Sequence, residues 1–514
     1  MEQIVETAAP DYGPFGKPLI DDPDARALSR VGVVDVGSNS VRMVIFDGAA
    51  RSPAYFYNEK VMCELGAGLS ETGRLNPQGR IRALAALQRF QHLARDLGLP
   101  ALHAVATAAV REAKDGAEFC AEVLEKTGLE ISVVNGEEEA RLSAQGVLLG
   151  WPGAYGLICD IGGSSVELAE IGDGAVGQRM TSPLGPLKLR DIKGGRRARK
   201  AHIKQTLEDM RDQMGPQRDR LFLVGGSWRA FARLDMLRRG YPLNVLHEYR
   251  MTHKQVRETI KFIEQNDPDK LRAQAGVSSS RMALIPYAMD VLARLIRTFK
   301  PKDIAISSYG IREGLLYQQM SQKLRDRDPL IEASRFAEAK DARLPGFGKH
   351  LYDFVMPLFR SAPPQRVRLI KAACLLHDVS WRAHPDYRAE VCFEYVTRAN
   401  MSGLKHSERV FIGLALQHRY RNKRAGNRFG PLYDLLDEPG QKQAEVLGKA
   451  MRLGAMLWMQ SDAAMGKLRY HPKKHELHLI LPKTAAPLFT ETAEARFNSL
   501  AAALKADTKV IIRG

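Results

Sequence analysis

The sequence predicts an α/β protein with two duplicated halves, followed by an all-helical region and a small α/β module. Three observations predict it. A short phrase occurs twice, each time after an apolar strand-like run and before another: Val33-Val34-Asp35-Val36-Gly37-Ser38-Asn39-Ser40, then Ile158-Cys159-Asp160-Ile161-Gly162-Gly163-Ser164-Ser165. Strand and helix patterns are interspersed up to about residue 322. From about 330 to 465 only helical periodicity is found, before strand patterns return near the end. The divisions that follow are an N-terminal extension over 1–28, two halves over 29–153 and 154–322, the helical region over 323–470 and the tail module over 471–514.

In the first half, strands are predicted over 31–36, 41–47 and 102–107. Between them Ile81, Leu84, Leu87, Phe90, Leu93 and Leu97 recur every three or four residues and give one apolar helix face. Leu75-Asn76-Pro77 starts that helix, and Gly98 with Pro100 stops it. A helix near 115–127, a strand at 130–134 and a helix from Glu137 complete the half. The second half follows the same plan, with hairpin strands at 156–161 and 165–171, helices near 184–192 and 198–214, and a strand at 220–224. That strand runs into Gly225-Gly226-Ser227, which opens a helix, and a last strand at 303–306 precedes Gly310 and a helix to about 322. The polar stretch 321–328 reads as a linker. In the tail, strands at 476–481 and 509–512 flank a helix at 492–505.

The 514 residues imply about three or four domains at roughly 150 residues each. No apolar run approaches the ~20 residues of a bilayer span, and the N-terminus lacks a charged-then-apolar leader. The five cysteines, Cys63, Cys120, Cys159, Cys374 and Cys392, are scattered and form no CxxC pair, as expected of buried thiols in a reducing cytoplasm. A net charge of +17 attracts polyanions: nucleic acid, an anionic membrane face or a polyphosphate. No RRM, KH or helix-turn-helix pattern favours the first.

The repeated phrase suits a phosphate. A tight hairpin turn holds N–H groups in place before the anion arrives, and glycine permits close backbone approach. Ser38, Asn39, Ser40, Ser164 and Ser165 add side-chain donors around Gly37, Gly162 and Gly163. Gly225-Gly226-Ser227 is a third candidate, at a helix start. No Gly-x-x-x-x-Gly-Lys-Ser/Thr loop exists, and the Gly-rich turns lead into strands, which argues against P-loop and dinucleotide-binding folds.

Asp35 and Asp160 sit at strand ends beside the turns, and Glu167 lies in the returning strand of the second hairpin. Mg²⁺ prefers one or two carboxylates plus water and substrate phosphates. In Asn135-Gly136-Glu137-Glu138-Glu139-Ala140-Arg141 a strand ends and a helix begins. An Asn cap and the helix dipole explain acidic residues there, and Arg141 can pair with Glu137. One of the three glutamates, pointing into a cleft, can activate water; spacing leaves open which. Arg42 and Arg111 carry forks that match phosphate oxygens.

Together these residues resemble the exopolyphosphatase / guanosine pentaphosphate phosphatase family, within the actin-like ATPase and sugar kinase superfamily. The matching phrases, in the family's order, are Asp35 to Ser40 with Arg42; Ala106-Thr107-Ala108-Ala109-Val110-Arg111-Glu112-Ala113; Gly136-Glu137-Glu138-Glu139-Ala140; Asp160 to Glu167; Ser182-Pro183-Leu184-Gly185; Gly225-Gly226-Ser227; and Arg312-Glu313-Gly314. The resemblance runs from about 30 to 320 and implies two actin-like (ribonuclease H-like) domains. It implies Mg²⁺-dependent, processive removal of terminal phosphate from inorganic polyphosphate. The first glutamate of the family's Glu-Glu-Ala motif falls on Glu138, which the resemblance implies is the base, with Asp160 and Glu167 placing metal and water. Two departures are Ser164 where a third glycine is usual and Asp115 where the family often has Asn.

Beyond 330, Leu375-Leu376-His377-Asp378-Val379 resembles the dyad of metal-dependent HD phosphohydrolases, with His350 and Asp462 as conceivable further ligands; the family's own HD-like domain is usually not catalytic. Two basic runs, Lys193, Arg196, Arg197, Arg199, Lys200 and Arg419, Arg421, Lys423, Arg424, read as solvated faces or as the path of a long polyphosphate. The rival activities are hydrolysis of guanosine pentaphosphate at the same site, a catalytically silent polyphosphate or nucleotide sensor, and a kinase-like ATPase. The resemblance also implies a cytoplasmic homodimer with no membrane partner.

Overall fold

The computed structural model describes residues 30–49, 51–100, 102–214, 219–424, 427–457 and 466–513. The predicted extension at 1–28 and the candidate ligand Asp462 lie outside the described residues. The chain forms two compact units that divide between Pro329 and Leu330.

The first unit holds two sheets of matching topology. β1 (Val31–Val36), β2 (Ser40–Ala49) and β3 (Ser52–Met62) form an antiparallel meander, and β4 (Leu102–Ala106) and β5 (Ile131–Val133) extend it in parallel, in the order β3-β2-β1-β4-β5. In the second half β6 (Gly156–Ile161), β7 (Val166–Gly172) and β8 (Ala175–Ser182) form the meander, and β9 (Arg220–Val224) and β11 (Asp303–Ile306) extend it in parallel; the two-residue strand β10 (Arg250–Met251) is added at the edge. The duplication expected from the repeated phrase is therefore a duplication of strand order. Nearly all of β1 and β6 is buried, as expected of central strands covered on both faces.

Four strands were not expected from the sequence: β3, β8, the two-residue β10, and a strand over Lys467–His471, inside the region read as helical. β3 and β8 are edge strands with largely exposed residues, so their apolar alternation is weak. The Pro77–Asp96 helix forms where predicted, capped by Asn76; of its predicted face Leu87 and Phe90 are buried and Leu84, Leu93 and Leu97 pack against the same core, joined by Ala83, Ala86 and Ala94, while Ile81 is exposed.

The helices Gly136–Gly150 and Ile311–Gln318, one from each half, cross at glycine. A Cβ on Gly314 would stand 1.8 Å from the Leu142 carbonyl oxygen, and one on Gly146 would stand 2.2 Å from that of Gly310. Only residues without side chains allow this approach, which explains why the first helix is buried almost throughout from Glu139 onward.

In the second unit the described residues from Leu330 to Leu457 are helical, with connecting loops. The tail holds β12 (Lys467–His471), β13 (Glu476–Pro482) and β14 (Asp507–Arg513) in sheet order β12-β13-β14, with the Glu491–Leu504 helix between the last two strands in sequence.

Candidate active site

The two repeated turns are built alike. Gly37 N–H donates to the Ser40 carbonyl at 3.0 Å, and Gly162 N–H donates to the Ser165 carbonyl at 3.0 Å. They also meet: a Cβ on Gly163 would lie 3.5 Å from Ser38 Cβ. Ser38, Ser164, Ser165 and Ser227 are buried at or beside these turns. Gly225 has φ +115°, and a Cβ there would lie 3.0 Å from Asp160 Oδ1. The third Gly-rich turn thus abuts the second carboxylate, and close approach is what requires glycine.

Across each hairpin the aspartate faces a charged partner. Asp35 pairs in register with Arg42, and Asp160 with Glu167. Asp35 Oδ2 accepts from Arg312 Nη1 at 3.0 Å. Asp160 Oδ2 accepts from the Ser143 hydroxyl. Glu167 is 1% exposed; its Oε1 accepts from Thr181 Oγ1 at 3.0 Å, while its Oε2 is buried without a hydrogen-bond partner.

The glutamates at this helix start are placed differently. Glu138 does not face the carboxylates: its side chain is 35% exposed and paired with Arg141, whose Nε donates to Oε2 at 2.8 Å. Arg141 therefore bonds the residue three positions back, not Glu137. The inward glutamate is Glu139, buried beside Arg111, whose Nη1 lies 3.5 Å from Glu139 Oε2 and donates to the Val134 carbonyl at 2.7 Å. Burial, then the neighbouring Asp160, pushes the Glu139 carboxyl up to about 8. Burial followed by Glu139 and Asp160 pushes Glu167 well up, and burial raises Asp160 as well. Helical period alone does not make this choice: Leu142 lies three positions after Glu139 and four after Glu138, so both glutamates share a face with it.

A cationic wall completes the cleft. Lys60 stands directly opposite Arg42 on β3, and its ammonium is lowered by burial and then by Arg281, Arg42, Arg312 and Arg229. Burial, then Arg312 and Arg281, lowers Arg229 to about 10. The Arg281 guanidinium covers Gly226, 3.3 Å from where a Cβ would sit. Lys60, Arg229 and Arg281 were missed in the sequence because lone cations carry no motif.

The carboxylates fit a divalent cation. Asp160 raises the proton affinity of both Glu139 and Glu167, Glu139 raises that of Glu167, and Glu167 Oε2 has no hydrogen-bond partner. Among the described residues no group of three or more His, Cys, Asp or Glu side chains is placed to hold a metal ion.

The other candidates separate from this site. Arg196 is committed to Glu264 at 2.6 Å and Asp290 at 3.1 Å, and Arg199 also binds Asp290, while Lys193 and Arg197 are exposed. Arg419 is buried, its charge disfavoured by desolvation, so it lines no surface path; Arg421 and Lys423 are exposed. Asp378 is saturated: Arg343 Nε and Nη2 each donate to it at 2.8 Å, with further donors from the Arg343 backbone N–H and the Tyr420 hydroxyl. His377 is buried and His350 exposed, so the two do not form one ligand set.

Residues 44–323 match the Ppx/GppA phosphatase family, and 349–511 match the exopolyphosphatase C-terminal domain. The chain belongs to the Ppx/GppA phosphatase family. Exopolyphosphatase 1 of Mycobacterium bovis is 27% identical over 59% of this chain and 92% of its own. Retrograde regulation protein 2 of Saccharomyces cerevisiae is 24% identical over 78% of this chain and 74% of its own. The crystal structure of the Aquifex aeolicus Ppx/GppA member matches 56% of this chain and 97% of its own with TM-score 0.51 at 23% identity. An exopolyphosphatase structure from Cytophaga hutchinsonii matches equally, with TM-score 0.51 at 22% identity. The fold of the first unit is thus the actin-like one that the family resemblance implied. Among the described residues no helix is long and apolar enough to cross a membrane.

Proposed function

We propose that this Ppx/GppA chain is an exopolyphosphatase that releases terminal phosphate from inorganic polyphosphate. One observation carries the reading: a buried carboxylate, Glu139, stands beside two facing phosphate turns and a wall of closely spaced cations. The terminal phosphoryl group binds among the Asp35–Ser40 and Asp160–Ser165 turns, and Arg42, Lys60, Arg229 and Arg281 hold the chain behind it. Glu139 takes a proton from the attacking water as its oxygen bonds to the terminal phosphorus. The bond to the bridging oxygen breaks, and its electron pair leaves with the shortened chain, whose charge the arginines neutralise. Asp160 and Glu167 would hold Mg²⁺, which when bound neutralises charge between the carboxylates and the phosphate oxygens. Glu139 replaces Glu138 in the role first implied.

The name of the Mycobacterium relative supports the polymer as substrate. Guanosine pentaphosphate at the same site is the rival activity, and the name of the Saccharomyces relative, which matches more of this chain, favours a regulatory reading. The buried Glu139, Asp160 and Glu167 favour catalysis over sensing. We read the helical region as HD-like with its dyad closed by Arg343, and the compartment as cytoplasmic. Phosphate release measured with long-chain polyphosphate, guanosine pentaphosphate and ATP separates these readings. Release from polyphosphate alone or first supports the assignment; binding without release from any of them overturns it in favour of a sensor.

A further inference from the structure

The helix Gly226–Arg239 starts at the third Gly-rich turn and runs away from it, and it carries four arginines. They divide into two pairs. Arg238 and Arg239, in the last turn, are committed: Arg238 lies 3.0 Å from Asp235 and 3.1 Å from Glu258, and Arg239 lies 3.4 Å from Asp235. Arg229 and Arg233, nearer the turn, make no ion pair among the described residues; Arg229 Nη1 donates only to a carbonyl, that of Ser308, at 2.9 Å. Four residues apart, these two share one helix face, about 6 Å from each other along the axis. That face looks away from the core, because Trp228, Phe231 and Leu234 are fully buried and Arg233 is exposed.

Arg281 joins the two arginines. Its guanidinium covers Gly226, and its charge is disfavoured first by burial and then by Arg233; Arg281 in turn disfavours the charge of Arg229. The three cations therefore repel one another along a line that begins at the phosphate turns. A single phosphate held in the turns offsets only the near end of such a line. An extended polyanion offsets all of it.

We propose that Arg233 is a chain-length-selective subsite, and that polyphosphate held at the turns leaves the cleft along this helix, past Arg229 and Arg281. The inference rests on the exopolyphosphatase reading and adds the side on which the polymer lies. The row stops at Arg233, since the arginines of the next turn already have their carboxylates.

The test compares steady-state phosphate release from tripolyphosphate and from long-chain polyphosphate by the full chain, R233A and R233E. Arg233 stands about 10 Å along the helix axis from Gly226, so the short anion is held by the turns and Arg229, and its KM stays within about twofold in both variants. For the long chain, KM rises by about threefold in R233A and by about tenfold or more in R233E, with kcat unchanged. A loss of equal size on both substrates, or an unchanged KM for the long chain, overturns the subsite and leaves the exopolyphosphatase reading standing. A parent chain that releases phosphate from neither substrate overturns both.

Discussion

Lys60 and Arg42 stand directly opposite each other on adjacent strands, two cations at a cross-strand position where like charges repel. Arg42 Nε is tied to Asn58 Oδ1 at 2.8 Å and faces Asp35 on its other side, whereas Lys60 faces only Arg42 in the ladder. A fold keeps such a pair when an anion offsets it.

Lys60→Ala should therefore weaken polyphosphate binding while leaving the protein at least as stable. Charged hydrogen bonds contribute about 1.5–3 kcal/mol, so KM should rise by about 10- to 100-fold. Steady-state phosphate release and thermal melting check the two halves of this statement. A drop in melting temperature with KM unchanged would make Lys60 a structural residue.

Glu139 and Glu138 are adjacent and separable. Glu139→Gln keeps the shape and removes the base, so turnover should fall by about 10²- to 10⁴-fold, with polyphosphate still bound. Glu138→Gln removes an exposed ion pair and should leave turnover within a few fold. If the Glu138 variant is the inactive one, the inward assignment of Glu139 is wrong.

The acid cluster makes metal-free stability depend on pH. Glu139 is raised from its ordinary 4.5 to about 8, so the folded state binds its proton more tightly than the unfolded chain does. Its favourable contribution is present below about 4.5 and is lost as pH rises through about 8. In the presence of a chelator the melting temperature should fall between these limits. Saturating Mg²⁺ should flatten the fall. Melting curves that ignore Mg²⁺ at pH 8 would count against a metal at Asp160 and Glu167.

Gly314→Ala tests the helix crossing. Its Cβ would meet the Leu142 carbonyl oxygen at 1.8 Å. Overpacking costs typically about 1–3 kcal/mol, and the rigid backbone partner sets this case at the upper end. Urea denaturation of the full chain should show the loss.

Arg343→Ala leaves Asp378 buried at 2% exposure without its bidentate partner. Breaking a buried pair costs about 3–5 kcal/mol, less here because the Arg343 side chain is 46% exposed. The second unit should melt earlier, while phosphate release by the first is retained.

The repeated turns were legible because the same atoms recur: an aspartate, a glycine whose N–H closes the turn, and hydroxyls. The central strands were legible because their apolar runs are continuous, whereas the sheet order, which includes the edge strands β3 and β8, was not. What remained hidden was set by helix phase and by tertiary placement. Adjacent glutamates differ by about 100° around a helix, and which one turns inward depends on the Gly146 and Gly314 crossing. The basic run at 196–200 looked available because its partner, Asp290, lies far along the chain. Arg419 looked exposed for the same reason, since the helix His406–Tyr420 is buried nearly all round.

Matching strand order does not mean matching chemistry. Seven positions after its aspartate, the first half carries Arg42 and the second carries Glu167. A clamp made of two equal jaws would hold an anionic thread the same way from either direction. Opposite charges at this one equivalent position make the two jaws chemically unequal, one cationic and one acidic, although the strands that carry them are arranged alike.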